Sequence, residues 1–261
     1  MRSALKRTLA VAAGRRLGPG ATLLTYHRVG GGSSDELDLS ASMFAAQVEA
    51  LTDADVVSLD TAADRLAVDD DRSGVVLTFD DGYGDVYDNA WPLLRRHELP
   101  FTMYLASRYM GATMQWPGAT AKSPGPALTW HQLREMVDSG LCTLGNHTHS
   151  HVRPEHLTTV ELDRCSDEVE RRLGLRPTHF TYPWGIPVPR MENELRRRFR
   201  TASTGELGRN LPGDDPIRLR RVPVRRTDPI EFFRAKLLGE LVPERVYARV
   251  VGTAKAVGLR A

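Results

Sequence analysis

The run Val75-Val76-Leu77-Thr78-Phe79 ends on two adjacent aspartates, Asp80 and Asp81. A strand with almost no polar residue on either face is buried on both sides. That is the pattern of a parallel sheet covered by helices, not of a sheet with one wet face. Two carboxylates at the end of such a strand repel each other and resist desolvation. The chain therefore needs a reason to hold them there. Gly82 follows and frees the backbone to turn.

The rest of the chain repeats this arrangement. Strands are expected at 21–27, 55–59, 74–79, 101–106, 141–144, 179–182, 200–203 and 219–224. Helices are expected at 41–51, 61–68, 85–97, 129–139, 158–173 and 191–199, and from about 229 onward with a break at Pro243. Capping boxes at Thr129/Gln132 and Thr158/Glu161 open two of them. Residues 107–128, rich in glycine and proline, read as a long surface loop. Asp69-Asp70-Asp71 reads as an acidic turn. The alternation predicts a single α/β domain, a barrel or strongly curved parallel sheet, and 261 residues suffice to bury its core.

Composition excludes several classes. The 35 basic and 33 acidic side chains interleave, for a net charge of +2, which is no footprint for nucleic acid. Cys142 and Cys165 are too few for a disulfide framework and read as small buried hydrophobes. Residues 1–20 start like a signal peptide. The apolar stretch Leu9–Ala13 is shorter than the usual core of about 7–15 residues, and Arg15-Arg16 interrupts it. No run reaches the roughly 18 apolar residues of a membrane span. A short basic helix is expected, solvated or touching an anionic membrane surface, on a cytoplasmic protein peripheral to the inner membrane face.

Four expected strand ends carry polar groups: Tyr26-His27-Arg28, Asp80-Asp81, His147-Thr148-His149-Ser150-His151 and Tyr182-Pro183-Trp184-Gly185. In a parallel barrel these ends meet at one mouth. On a helical turn His147 and His151 share a face, and on an extended strand all three histidines do. Two imidazoles and a carboxylate make a divalent-metal site with a position left for water. A cation would let one aspartate bind it while the other stays ionised and accepts a proton from the bound water.

The motifs TFDDGY (78–83), HTHSH (147–151) and FTYPWG (180–185), in this order, resemble the first three motifs of the NodB-homology polysaccharide deacetylases, carbohydrate esterase family 4. The resemblance spans roughly residues 21–225, between the basic helix of 1–20 and a helical extension at 226–261. The YPWG form and Tyr-His-Arg resemble the branch acting on poly-N-acetylglucosamine-type exopolysaccharides.

The resemblance implies a distorted, incomplete (β/α) barrel. It also implies a metal-dependent hydrolase that removes N-acetyl groups from an amino-sugar glycan or a lipid- or nucleotide-linked precursor. Asp80 would be the general base. Asp81, His147 and His151 would hold Zn2+ or another divalent ion. The Trp184 N–H would hold the oxyanion, and the Tyr83, Tyr182 and Trp184 rings would wall the substrate.

Two departures from the family pattern stand out. Thr181 takes the place of an arginine that orients the base, with Arg221 as the candidate substitute. No histidine follows His179 to supply the late Leu-x-His acid, with His27 as the candidate. His149 is expected to line the site or to hydrogen-bond a neighbour. The competing readings are a deformylase, O-acetyl esterase or small-amide hydrolase on the same fold, a non-catalytic carbohydrate-binding protein, and an amidohydrolase built on His147-Thr-His149.

Overall fold

The computed structural model describes residues 2–10, 18–68, 70–116, 124–247 and 249. Seven parallel strands close a ring: β1 (Gly20–Tyr26), β2 (Ser73–Phe79), β3 (Phe101–Leu105), β4 (Cys142–Asn146), β5 (His179–Thr181), β6 (Thr201–Leu207) and β7 (Leu219–Pro223). β1 lies between β2 and β7. It pairs with β2 without a break from Gly20↔Ser73 to Tyr26↔Phe79, and with β7 at Leu24↔Val222. The ring is incomplete in having seven strands where a (β/α) barrel has eight. It is distorted where the β6–β7 register shifts between Ser203 and Leu207.

The two-residue period of the strands sorts their side chains. Leu24, Tyr26, Leu77, Phe79, Phe101 and Met103 join the main core with Phe44, Val48 and Leu94 from the helices. There Tyr26 stacks on Phe79 at 5.0 Å, and Phe44 meets Tyr26 edge-on at 5.6 Å. The alternate residues Leu23, Val76 and Tyr104 pack with Leu59 and Ala62. Asp80 continues the parity of Val76 and Thr78, which places it at the mouth of the ring.

The helices are α1 (Arg2–Ala10), α2 (Ala41–Leu51), α3 (Leu59–Ala67), α4 (Trp91–Arg96), α5 (Trp130–Asp138), α6 (Thr159–Leu173), α7 (Glu192–Arg198) and α8 (Ile230–Leu237). Several depart from the sequence expectation for local reasons. The strand expected at 55–59 shrinks to one bridge, Val56↔Val75, because Ser58 caps α3 by accepting from the Thr61 N–H. The helix expected over 85–97 starts as a π-turn, Val86–Ala90, and becomes α-helical at Trp91. Pro92 there has no N–H to continue a regular ladder. Thr129 and Gln132 form the expected capping box on α5. Thr158 makes no side-chain cap on α6, because Glu161 instead accepts from the N–H and Oγ of Ser150, at 2.8 and 3.0 Å. Pro243 lies in the first turn of a second C-terminal helix that begins at Val242, a position proline tolerates.

α1 does not stand alone in solvent. Lys6 is fully buried and donates to Asp228 Oδ1 at 2.6 Å and Thr227 Oγ1 at 2.9 Å, with its ammonium 4.2 Å from the Tyr247 ring centre. Lys236 takes the other Asp228 oxygen at 2.7 Å. Unpaired burial of a lysine is expensive, so this carboxylate fixes where α1 docks. Both cysteines are buried and free. No helix among the described residues is long and apolar enough to cross a membrane. Asp69 of the acidic turn, Arg15-Arg16, the loop centre at 117–123 and the chain end past 249 lie outside the described residues.

Candidate active site

Among the described residues, five non-glycines adopt positive φ: Asp81 (74°), Glu98 (52°), Thr148 (66°), His151 (51°) and Trp184 (64°). All but Glu98 sit at the mouth of the ring. Each left-handed non-glycine costs on the order of 1–3 kcal/mol, and such strain clusters where function needs it. Here it re-aims side chains. Asp81 turns off the end of β2, with its carbonyl held by the Ala106 N–H at 3.1 Å. His147 leaves β4 anchored to the Leu105 carbonyl at 3.0 Å. Asn146 Oδ1 then accepts from the Thr148 N–H at 2.8 Å, which bends the chain so that His151 returns to the mouth. The histidine segment is therefore neither a helical turn nor a strand.

Asp81, His147 and His151 are buried, and their ligand atoms all lie within 4.8 Å of one another. Asp81 Oδ1 is 3.3 Å from His147 Nε2 and 3.4 Å from His151 Nε2, yet it makes no hydrogen bond among the described residues. Ligand atoms each about 2.1 Å from one tetrahedral ion sit about 3.4 Å apart. An orphaned carboxylate oxygen at that spacing from two imidazole nitrogens fits a divalent cation between them. His147 Nδ1 bonds the Thr181 carbonyl at 2.9 Å, so its proton sits there and Nε2 offers a lone pair.

Electrostatics follow from burial and these neighbours. Burial opposes ionisation of Asp81, but the His147 and His151 imidazoles outweigh it and hold the carboxyl well below the usual carboxylate range. Burial would also lower His147, but Asp81 and Asp80 raise it above an ordinary histidine. His151 is pushed down to about 3, chiefly by burial.

Asp80 is almost completely buried. Burial again opposes its charge, and Arg221, ahead of His147 and His27, holds it below the ordinary value. Arg221 Nη1 donates to both Asp80 oxygens, and its Nε donates to the Thr204 carbonyl at 3.0 Å. His27 Nε2 lies 3.8 Å from Asp80 Oδ2. His27, Asp80, Asp81, His147, His151 and Arg221 line one cavity of about 330 Å³.

Tyr83 and Trp184 also line this cavity. The guanidinium of Arg28, bonded through Nε to Asp85 at 2.7 Å, lies 4.6 Å from the Tyr83 ring centre. Trp184 forms a wall beside Gly185, whose Cα region abuts Gly205; a Cβ on Gly185 would meet the Gly205 Cα at 2.7 Å. Two expected site residues fall elsewhere. The Tyr182 ring is buried in a separate core with Phe180, Val188 and Leu195, because period-two alternation along β5 turns it away from the mouth. The His149 ring bonds Ser107 Oγ at 2.9 Å and lines no part of the cavity, the neighbour-bonding one of its two expected roles. With His149 turned away, the pair an amidohydrolase reading needs is absent. Trp116, in the segment after β3, lines the cavity as well, although no motif in the sequence marks it. Its only sequence signal was an aromatic residue in a glycine- and proline-rich loop.

The chain matches the family described as "Polysaccharide deacetylase" over residues 67–198, half of its length. It is 27% identical over 140 residues to the putative polysaccharide deacetylase YxkH of Bacillus subtilis, covering 52% of this chain and 45% of that protein. It is 32% identical over 78 residues to the poly-beta-1,6-N-acetyl-D-glucosamine N-deacetylase of Staphylococcus epidermidis, covering 30% of this chain and 25% of that protein. The matched part thus spans less than half the length of either relative. The structure of IcaB from Ammonifex degensii superposes with a TM-score of 0.72 at 28% identity, covering 87% of this chain and 98% of that one.

Proposed function

The chain belongs to the polysaccharide deacetylase family, and from that premise we propose that it is a metal-dependent hydrolase removing N-acetyl groups from an amino-sugar glycan or glycan precursor. The observation that carries the reading is the pairing of a buried Asp-His-His cluster with a second, separately anchored carboxylate, Asp80, in one cavity. Asp81, His147 and His151 hold the cation, most favourably Zn2+, whose donor preferences match two imidazoles and a carboxylate. When bound, the ion polarises the acyl carbonyl and makes water nucleophilic near neutral pH.

The protein's own groups do the rest. Asp80, ionised because Arg221, His147 and His27 together outweigh its burial, accepts the proton of the attacking water. Arg221 acts through Asp80, fixing the direction of its lone pairs. The Trp184 backbone N–H supports the developing oxyanion. Tyr83 and the Trp184 ring wall the acyl group and the sugar face. His27, beside Asp80 on the ring, returns a proton to the leaving amine. In this reading residues 21–225 carry the catalytic machinery, with α1 (Arg2–Ala10) before them and α8 (Ile230–Leu237) after them.

The test is release of acetate from N-acetylglucosamine oligomers, compared with formate release from formamido sugars and acetate release from O-acetylated glycans, each with and without added zinc. Zinc-dependent acetate release from the N-acetylated oligomers is expected. Sugar binding that survives chelation, with no acyl group released at any metal loading, would overturn the enzymatic assignment.

A further inference from the structure

The two imidazoles of the cluster are held in different ways. His147 is fixed by a hydrogen bond from Nδ1 to the Thr181 carbonyl. His151 has no such bond: its Nδ1 is buried and without a hydrogen-bond partner among the described residues. A metal-binding histidine usually donates its other ring N–H to a carbonyl, carboxylate or water, and that contact fixes ring orientation. The His151 ring is gripped by aromatic faces instead. Trp116 lies 4.1 Å away between ring centres at an interplanar angle of 33°, and Trp184 lies 5.2 Å away at 60°.

Trp116 is itself positioned by packing. Its Nε1 makes no hydrogen bond among the described residues, and the indole is 8% exposed. The Tyr109 and Tyr83 rings flank it at 5.7 and 6.4 Å. Two residues before it, Thr113-Met114 pairs antiparallel with Gly125-Pro126, which ties down the base of the loop. Tyr83 is fixed in turn under the Arg28 guanidinium. A chain of ring contacts thus runs from the first strand's end through Tyr83 and Trp116 to His151.

We propose that Trp116 is a positioning residue that sets the orientation of His151 by stacking, in place of the missing hydrogen bond, and thereby sets the affinity of the cluster for a divalent cation. The proposal rests on the cluster being a metal site. Because Trp116 also lines the cavity, the same side chain faces the substrate. Anything bound there that shifts the indole changes how tightly the cation is held.

The test compares wild type with Trp116→Phe, Trp116→Leu and Trp116→Ala. Zinc and cobalt affinities are measured by competition with a chromophoric chelator, and the Co2+ absorption spectrum is recorded for each loaded protein. Loss of an orienting partner typically weakens metal binding about 10–100-fold, and that loss is expected for Trp116→Ala. Trp116→Phe keeps a ring face and stays within about threefold of wild type. Trp116→Leu keeps bulk without a π face and falls between, with an altered Co2+ spectrum. It serves as the test should the alanine variant fail to fold by circular dichroism. Leucine or alanine variants with wild-type affinity and an unchanged Co2+ spectrum would overturn the proposal. A wild-type protein that binds neither ion fails at the earlier step, the metal site itself, and that failure is visible without any variant.

Discussion

One nitrogen of Arg221, Nη1, donates to both carboxylate oxygens of Asp80, at 2.7 and 2.8 Å. The arginine comes from β7 and the aspartate follows β2, and the two lie 141 positions apart in the sequence. Burial alone would push the Asp80 carboxyl up; Arg221 brings it down and fixes its direction.

Removal of that partner should therefore be visible in a pH profile. In Arg221→Ala, the strongest opponent of burial is gone, the Asp80 carboxyl rises, and the base is protonated over a wider acid range. The acid limb of kcat/KM moves to higher pH, and turnover at neutral pH drops by about 10²-fold, the low end of a general base's contribution. An acid limb that stays in place would show that Arg221 does not govern Asp80.

Asp80→Asn keeps the shape of the side chain and removes its basicity. Because Asp80 lies outside the Asp81/His147/His151 cluster, the variant should bind zinc with wild-type stoichiometry. It should also lose about 10²–10⁴ in turnover. Near-normal turnover on an N-acetylated substrate would remove Asp80 as the base.

Metal affinity should depend on a single proton in the mildly acidic range. A ligating imidazole must be neutral, so protons compete with the ion. His147 is raised above an ordinary histidine and protonates first as pH falls, whereas His151 at about 3 does not compete. The apparent zinc affinity, followed by chelator competition, should fall about tenfold per pH unit below the His147 value. A fall of about a hundredfold per unit would mean that both rings take up protons together.

His27→Ala should spare metal binding, since His27 contacts Asp80 at 3.8 Å and not the cluster. Loss of the group that returns a proton should slow turnover by about 10²-fold. Identical kinetics across the pH range would exclude His27 from the reaction.

The buried Lys6–Asp228–Lys236 group makes a prediction about stability. Burial raises the Asp228 carboxyl, but Lys236 and Lys6 outweigh it, so its folded value is depressed. Its contribution is complete above the unfolded value of about 3.9 and is lost as pH falls through the folded one. At neutral pH, Asp228→Asn leaves two buried ammonium groups short of a partner and should cost about 3–5 kcal/mol. The urea midpoint reads this directly; a midpoint equal to wild type would mean that α1 docks by other contacts.

Much of this was legible in the chain itself. The full apolar length of Val75–Phe79 announced a strand buried on both faces, and β2 is one. The four polar strand ends meet at one mouth, because parallel strands share a direction. What failed to show were contacts that periodicity does not encode. His149 and Tyr182 stand beside site residues in sequence, yet local bends and alternation turn them away. Trp116 meets His151, 35 positions on, through a tertiary contact that no local pattern signals. The docking of α1 depends on Asp228, more than 200 positions away, which no window along the sequence could find.

The closure of the strands changes what sequence order means. β1 is hydrogen-bonded to β7 on one side and β2 on the other, so around the ring the first strand is also the neighbour of the last. A ring has no beginning. A proton donor carried on the earliest strand stands where one following the final strand would stand. In the proposed mechanism His27 is that donor, and a motif search that looks only downstream of the last strand does not find it. His27, just after β1, and Arg221, on β7, stand at opposite ends of the numbering and approach Asp80 from adjoining positions. The active-site inventory of such a protein is best taken around the circumference, as a cyclic permutation of parts, and not from left to right.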